Sequence, residues 1–262
     1  MGKRRLFLPP AAALLLAALS ACLSSGTTIV AKHTLSKPSL NGVLDDPVWH
    51  KTPAYALVHG RNQFQDMPAE VREYFRRGVA EPGKVKVLWD EKYLYFGIEF
   101  TDLDLVSESA GAQDRQDRKG DAVSVFLKPA NQTWYWEFQL APKGDLSVFF
   151  YPGRGLCDLP GCRGAKEALS GIKAAAAFKG TLNNSWDTDK KWTAEIAVPR
   201  SEIGRAGEKL SPDIPWLVFF KRVNYGRMLP VMECTVFPPA EASDFHAHED
   251  YGRLVLEPAA DR

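Results

Sequence analysis

The sequence has few of the residues on which metal and redox chemistry depend. Its 262 residues include four cysteines, four methionines and five histidines. No second cysteine pair is present to complete a zinc site, and no histidine directly follows Cys162, as haem attachment would require. A nucleophile elbow, an HExxH motif and a Ser-His-Asp spacing are also missing. These absences argue against a zinc protein and against the common hydrolase classes.

The chain also lacks an excess of charge of either sign. Its 33 lysines and arginines oppose 32 aspartates and glutamates, so the formal net charge is +1. No global basic charge therefore points to nucleic acid or to anionic lipid as a partner. Hydrophobic residues make up 45% of the chain and charged residues 25%, as in a globular protein with a buried core. The 14 phenylalanines, 20 glycines and 18 prolines favour strands and turns over a helical bundle.

A long apolar run lies near the start of the chain, from Leu6 to Leu19, after three basic residues. It is too short to span a membrane comfortably, which takes about 20 apolar residues, and it predicts a secretion signal over residues 1–21. The alternative is a short anchor that is retained. The peptide Leu19-Ser-Ala-Cys22 resembles the bacterial lipobox, which implies that Cys22 is acylated and begins the mature chain.

The lipobox resemblance also implies a location. Leu23 follows the cysteine where retention in the inner membrane usually calls for aspartate, so we expect export and a lipid anchor in the outer membrane. Residues 22–26 would form a lipidated linker. Loss of residues 1–21 removes three cations and no anions and leaves a net charge of −2, so the mature chain has no basic membrane patch.

Three further cysteines lie in the exported part, where the environment is oxidising. Cys157 and Cys162 flank a Pro-Gly turn that could bring the two sulfur atoms together, and this spacing predicts a disulfide. Cys234 is left over, and we expect it to be a buried thiol.

Strands dominate the mature chain, which we interpret as one domain over residues 27–258. Period-two alternation and turn signals predict about ten strands, at residues 85–89, 93–100, 121–127, 134–140, 146–151, 172–178, 191–198, 216–224, 232–237 and 252–256. One short helix is predicted between Pro68 and Arg77, in an inserted loop. Because no helices alternate with the strands, we predict an all-β fold, an antiparallel two-sheet β-sandwich of the immunoglobulin-like or jelly-roll type.

The alternation also assigns side chains to faces. Trp136 and Phe138 lie on a predicted core face, which places Glu137 and Gln139 on the opposite face. In the strand 216–224, Arg222 and Asn224 share one face with Phe220. We predict that one polar sheet face carries Glu137, Gln139, Arg222 and Asn224, and the alternative is an ordinary solvated sheet surface.

Four segments, in order along the chain, resemble carbohydrate-binding module family 9: residues 38–49, 85–95, 120–126 and 245–254. The family is an antiparallel β-sandwich that holds the end of a glycan between two aromatic rings and binds the sugar hydroxyls with polar side chains from one sheet face. The resemblance covers nearly the whole mature chain. It implies a glycan ligand and a role without catalysis.

The resemblance also implies site residues. One stacking ring falls on Phe245, and the other falls near Arg118, which replaces the family's tryptophan. The polar contacts fall near Ser124, Glu137, Gln139, Arg222 and Asn224, and Ser124 replaces a family glutamate. Calcium, which some members bind, has its nearest candidate ligands in Asp102 and Asp104, although two carboxylates in a turn are also ordinary turn formers. No other cofactor is expected.

The function predicted from the sequence is a carbohydrate-binding lipoprotein that holds glycans at the cell surface or in the periplasm and supports carbohydrate catabolism. A glycoside hydrolase or another surface protein would be its partner. Three alternatives remain open. They are a surface scaffold that binds a protein, a glycoside hydrolase or its accessory domain using Glu137 and Glu195, and a periplasmic sandwich that binds b-type haem through Met67, Met228 or Met232.

Overall fold

The computed structural model describes residues 26–156, 169–204, 208–241 and 244–258. Cys22, Cys157 and Cys162 lie outside these residues. The strands are β1 (Thr28–His33), β2 (Ala54–Ala56), β3 (Val58–His59), β4 (Gly83–Trp89), β5 (Tyr93–Thr101), β6 (Ala122–Pro129), β7 (Tyr135–Leu140), β8 (Leu146–Tyr151), β9 (Lys173–Lys179), β10 (Lys191–Pro199), β11 (Trp216–Asn224), β12 (Glu233–Phe237) and β13 (Gly252–Leu256). The helices are α1 (Pro47–His50) and α2 (Ala69–Phe75), with 3₁₀ turns at Gln116–Arg118 and His248–Asp250.

The strands form one sheet, because β1 joins its two halves. The path runs β8-β7-β6-β11-β13-β1-β4-β5-β10-β9, with β12 beside β11, β3 beside β12 and β2 beside β4. Thr28 to Ala31 pair with β13, whereas Lys32 and His33 pair with β4, and both pairings are parallel. The all-β prediction is confirmed. The predicted two-sheet antiparallel sandwich is wrong in one respect, since the described strands wrap around the core as a nearly closed barrel.

The main core lies between the two halves of this sheet. It includes Trp136 and Phe138 from β7, Phe220 from β11 and Phe96 from β5. The rings of Phe96 and Phe220 pack edge to face across the core with their centroids 5.8 Å apart. The predicted inward face of β7 is therefore confirmed.

The outward faces of both halves are covered rather than solvated. Residues 39–50 lie over β5 and β10, and Trp49 Nε1 donates a 2.8 Å hydrogen bond to Glu195 Oε1. The backbone N–H groups of Asn41 and Gly42 donate to the other carboxylate oxygen. Gly42 has φ +82° and a Cβ there would lie 2.5 Å from the backbone of Ala176, so only glycine fits this close approach.

The other half is covered by the 3₁₀ turn Gln116–Arg118 and by residues 244–251. A second cluster of buried side chains lies beneath them and includes Phe126, Tyr135, Tyr151, Phe219 and Tyr251. The rings of Tyr135 and Tyr151 stack with centroids 4.5 Å apart. Such a layer makes the outward face of β6, β7, β8 and β11 a partly buried aromatic surface.

Two smaller predictions can be compared directly with the structure. The helix predicted between Pro68 and Arg77 is α2, and its Val71 and Phe75 are buried while Tyr74 is exposed. Cys234 is a free buried thiol, as predicted, and burial raises its pKa to about 11. Within the described residues, no helix has the length and apolar character needed to cross a membrane.

Candidate functional site

A pocket with a volume of about 500 Å³ lies on the covered face. It lies between residues 61–67 and the outward sides of β11 and β12. Its polar lining consists of Arg61, Asn62, Gln63, Asp66, Asp117, Lys221 and Glu241, and its apolar lining consists of Phe64, Met67, Val223, Met232, Cys234 and Phe245. Apolar walls with a few polar groups are typical of small-ligand sites.

Asp117 and Lys221 form an ion pair within this lining. Lys221 Nζ donates to Asp117 Oδ2 at 3.1 Å, and Arg115 Nη2 donates to the same oxygen at 3.3 Å. Burial alone would raise the pKa of the Asp117 carboxyl, but the charges of Lys221 and Arg115 outweigh burial and lower it. The carboxylate is therefore ionised at neutral pH.

The second oxygen of Asp117 lacks a partner within the described residues. The side chain is only 9% exposed, and Oδ1 is buried without a hydrogen-bond partner among the described residues. An unpaired buried carboxylate oxygen costs free energy, and a ligand hydroxyl that donated to it would remove that cost.

Two aromatic side chains belong to the pocket walls. The Lys221 ammonium lies 4.3 Å from the centroid of the Phe245 ring, and the Tyr251 hydroxyl donates to the backbone oxygen of Phe245 at 2.9 Å. On the other wall, Phe64 stacks on Phe75 with ring centroids 4.2 Å apart. Each ring is partly exposed and is held by neighbouring side chains, so both are fixed surfaces.

The rim of the pocket is joined by ion pairs. Arg61 Nη2 donates to both carboxylate oxygens of Asp250, at 2.7 and 2.8 Å. Asn62 Nδ2 donates to Glu241 at 2.9 Å. These contacts join Arg61 to Asp250 and Asn62 to Glu241. They connect the two parts of the chain that flank the pocket.

Three of the predicted polar residues lie behind the pocket. Ser124, Glu137 and Gln139 are on the outward face, as predicted, but each is at most 1% exposed. Glu137 Oε2 accepts from the Tyr151 hydroxyl at 2.5 Å, and Gln139 Nε2 donates to Glu137 Oε1 at 2.7 Å. Glu137 does not line the pocket. Its Oε2 is 3.5 Å from Nη1 of Arg115, and Arg115 donates to the pocket residue Asp117.

Arg222 and Asn224 lie on the opposite face, so the predicted single polar face is wrong. Both side chains are at most 1% exposed. Arg222 Nη2 donates to Asp102 Oδ2 at 3.1 Å and to Asn224 Oδ1 at 2.8 Å. The physical reason is the alternation of β11 itself, because residues on the same side as the core ring Phe220 also point into the interior.

The remaining candidates are also outside the pocket. Arg118 is exposed and does not line it. Asp102 is bound by Arg222, and Asp104 Oδ2 accepts from the backbone N–H of Arg227 at 2.7 Å. Among the described residues no group of three or more histidine, cysteine, aspartate or glutamate side chains could hold a metal ion.

Sequence reasoning missed most of the pocket: of its predicted glycan contacts only Phe245 lines it, and Met67 and Met232, named only for the haem alternative, also do. Lys221 alternates with Arg222 along β11, and Asp117 directly precedes Arg118. Both were one position away from a predicted residue. Phe64 carried no strand pattern, so no sequence signal separated it from an ordinary loop residue.

The fold is similar to those of carbohydrate-binding proteins. A candidate carbohydrate-binding protein from Bacteroides uniformis superposes with a TM-score of 0.64 at 14% identity, over 89% of this chain and 100% of that one. A family 9 carbohydrate-binding module from Caldicellulosiruptor kristjanssonii in complex with cellotriose gives a TM-score of 0.54 at 12% identity, over 90% and 96% of the chains. A family 9 module from the same organism in complex with glucose gives 0.52 at 12% identity, over 89% and 98%.

No family model and no curated protein matches the chain by sequence. The resemblance to carbohydrate-binding module family 9 is confirmed at the level of the fold by the similar structures.

Proposed function

We propose that the protein is a non-catalytic carbohydrate-binding domain and that its glycan site is the pocket around Asp117, Lys221 and Phe245. The observation that carries the proposal is the buried Asp117 carboxylate, with one oxygen paired to Lys221 and the other without a partner among the described residues. A sugar hydroxyl is a donor of the size and polarity that this oxygen needs.

The rest of the lining supports the same ligand class. A pyranose ring has an apolar C–H face that can stack on Phe245 or Phe64, and hydroxyl groups that can bind to a charged pair. The similar modules hold cellotriose and glucose, so glucose-based glycans are the first to test.

Binding without catalysis is favoured by the state of the strand glutamates. A glycosidase needs two carboxylates across the scissile bond, in contact with the substrate. Glu137 is bound to Tyr151 and Gln139, and Glu195 is bound to Trp49 and two backbone N–H groups. Both are buried on different halves of the sheet, so they do not form such a pair.

The location is part of the proposal and rests on the sequence. A lipid anchor at Cys22 would hold the domain at the outer membrane, facing the periplasm or the cell surface. There it would retain polysaccharide for catabolism beside a glycoside hydrolase or another surface protein.

A glycan array on the purified protein, followed by calorimetric titration with glucose and cellotriose, tests the proposal. We expect binding to at least one glucan, with no release of new reducing ends. Phe245→Ala should weaken binding about tenfold, since it removes a stacking ring. Leu35→Ala serves as the control, because Leu35 is 76% exposed and lies outside the pocket lining.

Failure of the array to detect any glycan would contradict the proposal and favour the protein-scaffold alternative. Hydrolysis of a bound glycan would contradict its non-catalytic part. A Soret absorbance band in the purified protein would favour the haem alternative.

A further inference from the structure

Trp186 differs from every other tryptophan of the chain in its exposure. It is 94% exposed, whereas the other six are at most 7% exposed. It lies in the turn that joins β9 to β10. A bare indole ring costs free energy in water, so an exposure of this extent needs an explanation.

The turn that carries Trp186 is firmly attached to the barrel. Asn183 Nδ2 donates to the backbone oxygen of Ser107 at 3.0 Å, and Ser107 N–H donates to Asn183 Oδ1 at 2.7 Å. The Asp189 carboxylate accepts from the N–H groups of Thr181 and Leu105, both at 2.7 Å. The two ends of the turn that carries Trp186 are therefore anchored.

This turn and the pocket are at the same end of the barrel. The segment after β11 contacts both, because the Tyr225 hydroxyl donates to the backbone oxygen of Asp117 at 3.2 Å and Arg227 Nη2 donates to that of Asp187. Tyr225 and Arg227 are two residues apart, which is at most about 7 Å of chain. The segment 225–227 therefore contacts both the pocket residue Asp117 and the turn that carries Trp186.

The residues next to Trp186 in the sequence are polar. Its neighbours in the turn are Asn183, Asn184, Ser185, Asp187 and Thr188. A protein partner would need a contiguous apolar surface, and within this turn Trp186 is flanked only by polar residues. One flat ring among amide, hydroxyl and carboxylate groups is the combination that a sugar residue requires.

We propose that Trp186 is a second stacking site for a polysaccharide chain whose end occupies the pocket. This inference rests on the proposed function. It implies that the ligand is a chain of several sugar units rather than a free monosaccharide, and that affinity rises with chain length until the chain reaches Trp186.

The test is a calorimetric titration of the parent and of Trp186→Ala with glucose, cellotriose and cellohexaose, and with the soluble polysaccharides of the array. We expect Trp186→Ala to weaken binding of the longest ligands roughly five- to tenfold and to leave glucose binding unchanged. Trp186→Tyr should restore most of the loss, because it keeps an aromatic face.

Leu35→Ala is the matched control. Leu35 is 76% exposed. It follows Thr34, whose backbone N–H donates to the backbone oxygen of Trp89 at the end of β4. The β4–β5 turn lies at this end of the strand. The β5–β10 pairing places that turn at the opposite end of the strands from Trp186, since Tyr93 pairs with Pro199 and Thr101 with Lys191. Leu35→Ala should bind every ligand as the parent does.

The possible failures are distinguishable. Equal affinities of parent and Trp186→Ala for every ligand would overturn the second site and leave the pocket proposal standing. An equal loss for glucose and long chains would also overturn it. A parent that binds no ligand in either series would overturn both proposals.

Discussion

Arg222 Nη2 donates to Asp102 Oδ2 at 3.1 Å, and both side chains are fully buried. The guanidinium also donates to the backbone oxygens of Glu81 and Thr101, at 2.5 and 2.8 Å, and lies 4.6 Å from the centroid of the Phe100 ring. This ion pair joins β11 to the end of β5 inside the barrel. Arg222 is therefore a structural residue.

Arg222→Met should destabilise the fold. The substitution leaves the Asp102 carboxylate and two backbone oxygens without their donor in the interior, and breaking a buried ion pair from one side typically costs about 3 to 5 kcal/mol. Urea denaturation should show a fall of this order in the free energy of unfolding. Arg253→Met is the control, because Arg253 is exposed on β13 and should change stability by less than about 0.5 kcal/mol. An unchanged unfolding midpoint for Arg222→Met would contradict the buried role.

Asp102→Asn should change how stability depends on pH. Burial raises the pKa of Asp102 from 3.8 to about 6, and the nearby Arg222 reduces this effect without cancelling it. A raised folded-state pKa contributes stability that is complete below pH 3.8 and is lost as pH rises through about 6. Between pH 8 and pH 5 the parent should therefore gain about 1 kcal/mol relative to Asp102→Asn, measured by denaturation at each pH.

The control for this pH experiment is Asp213→Asn. Asp213 is exposed, so its substitution should change the free energy of unfolding by less than about 0.5 kcal/mol. Parallel stability curves for the parent and Asp102→Asn would show that Asp102 does not titrate differently in the folded state.

Cys22→Ser should release the protein from the membrane fraction. The lipobox resemblance makes Cys22 the acylated residue, and a serine cannot form the thioether that carries the lipid. Fractionation of cells that express each variant measures the effect. Cys234→Ser, which changes the buried thiol, should remain in the membrane fraction. Continued membrane attachment of Cys22→Ser would refute the anchor.

Cys157 and Cys162 should be linked by a disulfide in the exported protein. Mass mapping without reduction should give one peptide pair joined by these cysteines. Cys234 is an internal reference, because a buried thiol with a pKa of about 11 should be alkylated only after denaturation. Free alkylated thiols at both Cys157 and Cys162 would argue against the disulfide.

The described fold agrees with the sequence patterns where local signals are strong. Strands β4 to β13 were predicted as ten segments, and α2 was predicted between Pro68 and Arg77. Strand β1 was not predicted, and the short strands β2 and β3 were missed because each has too few residues for an alternation to be recognised. The parallel pairing of β1 was missed because strand partners are set by contacts between distant parts of the chain.

The amino-acid sequence by itself determined which side chains of a strand share a face, since side chains alternate with a period of two wherever a strand forms. Only the tertiary structure decided what covers each face. Glu195 is buried by Trp49, which is 146 residues away, and the pair at the pocket joins Asp117 to Lys221 across 104 residues. Contacts between residues so far apart in the chain cannot be inferred from a local sequence pattern, because they depend on how the loops pack over the barrel.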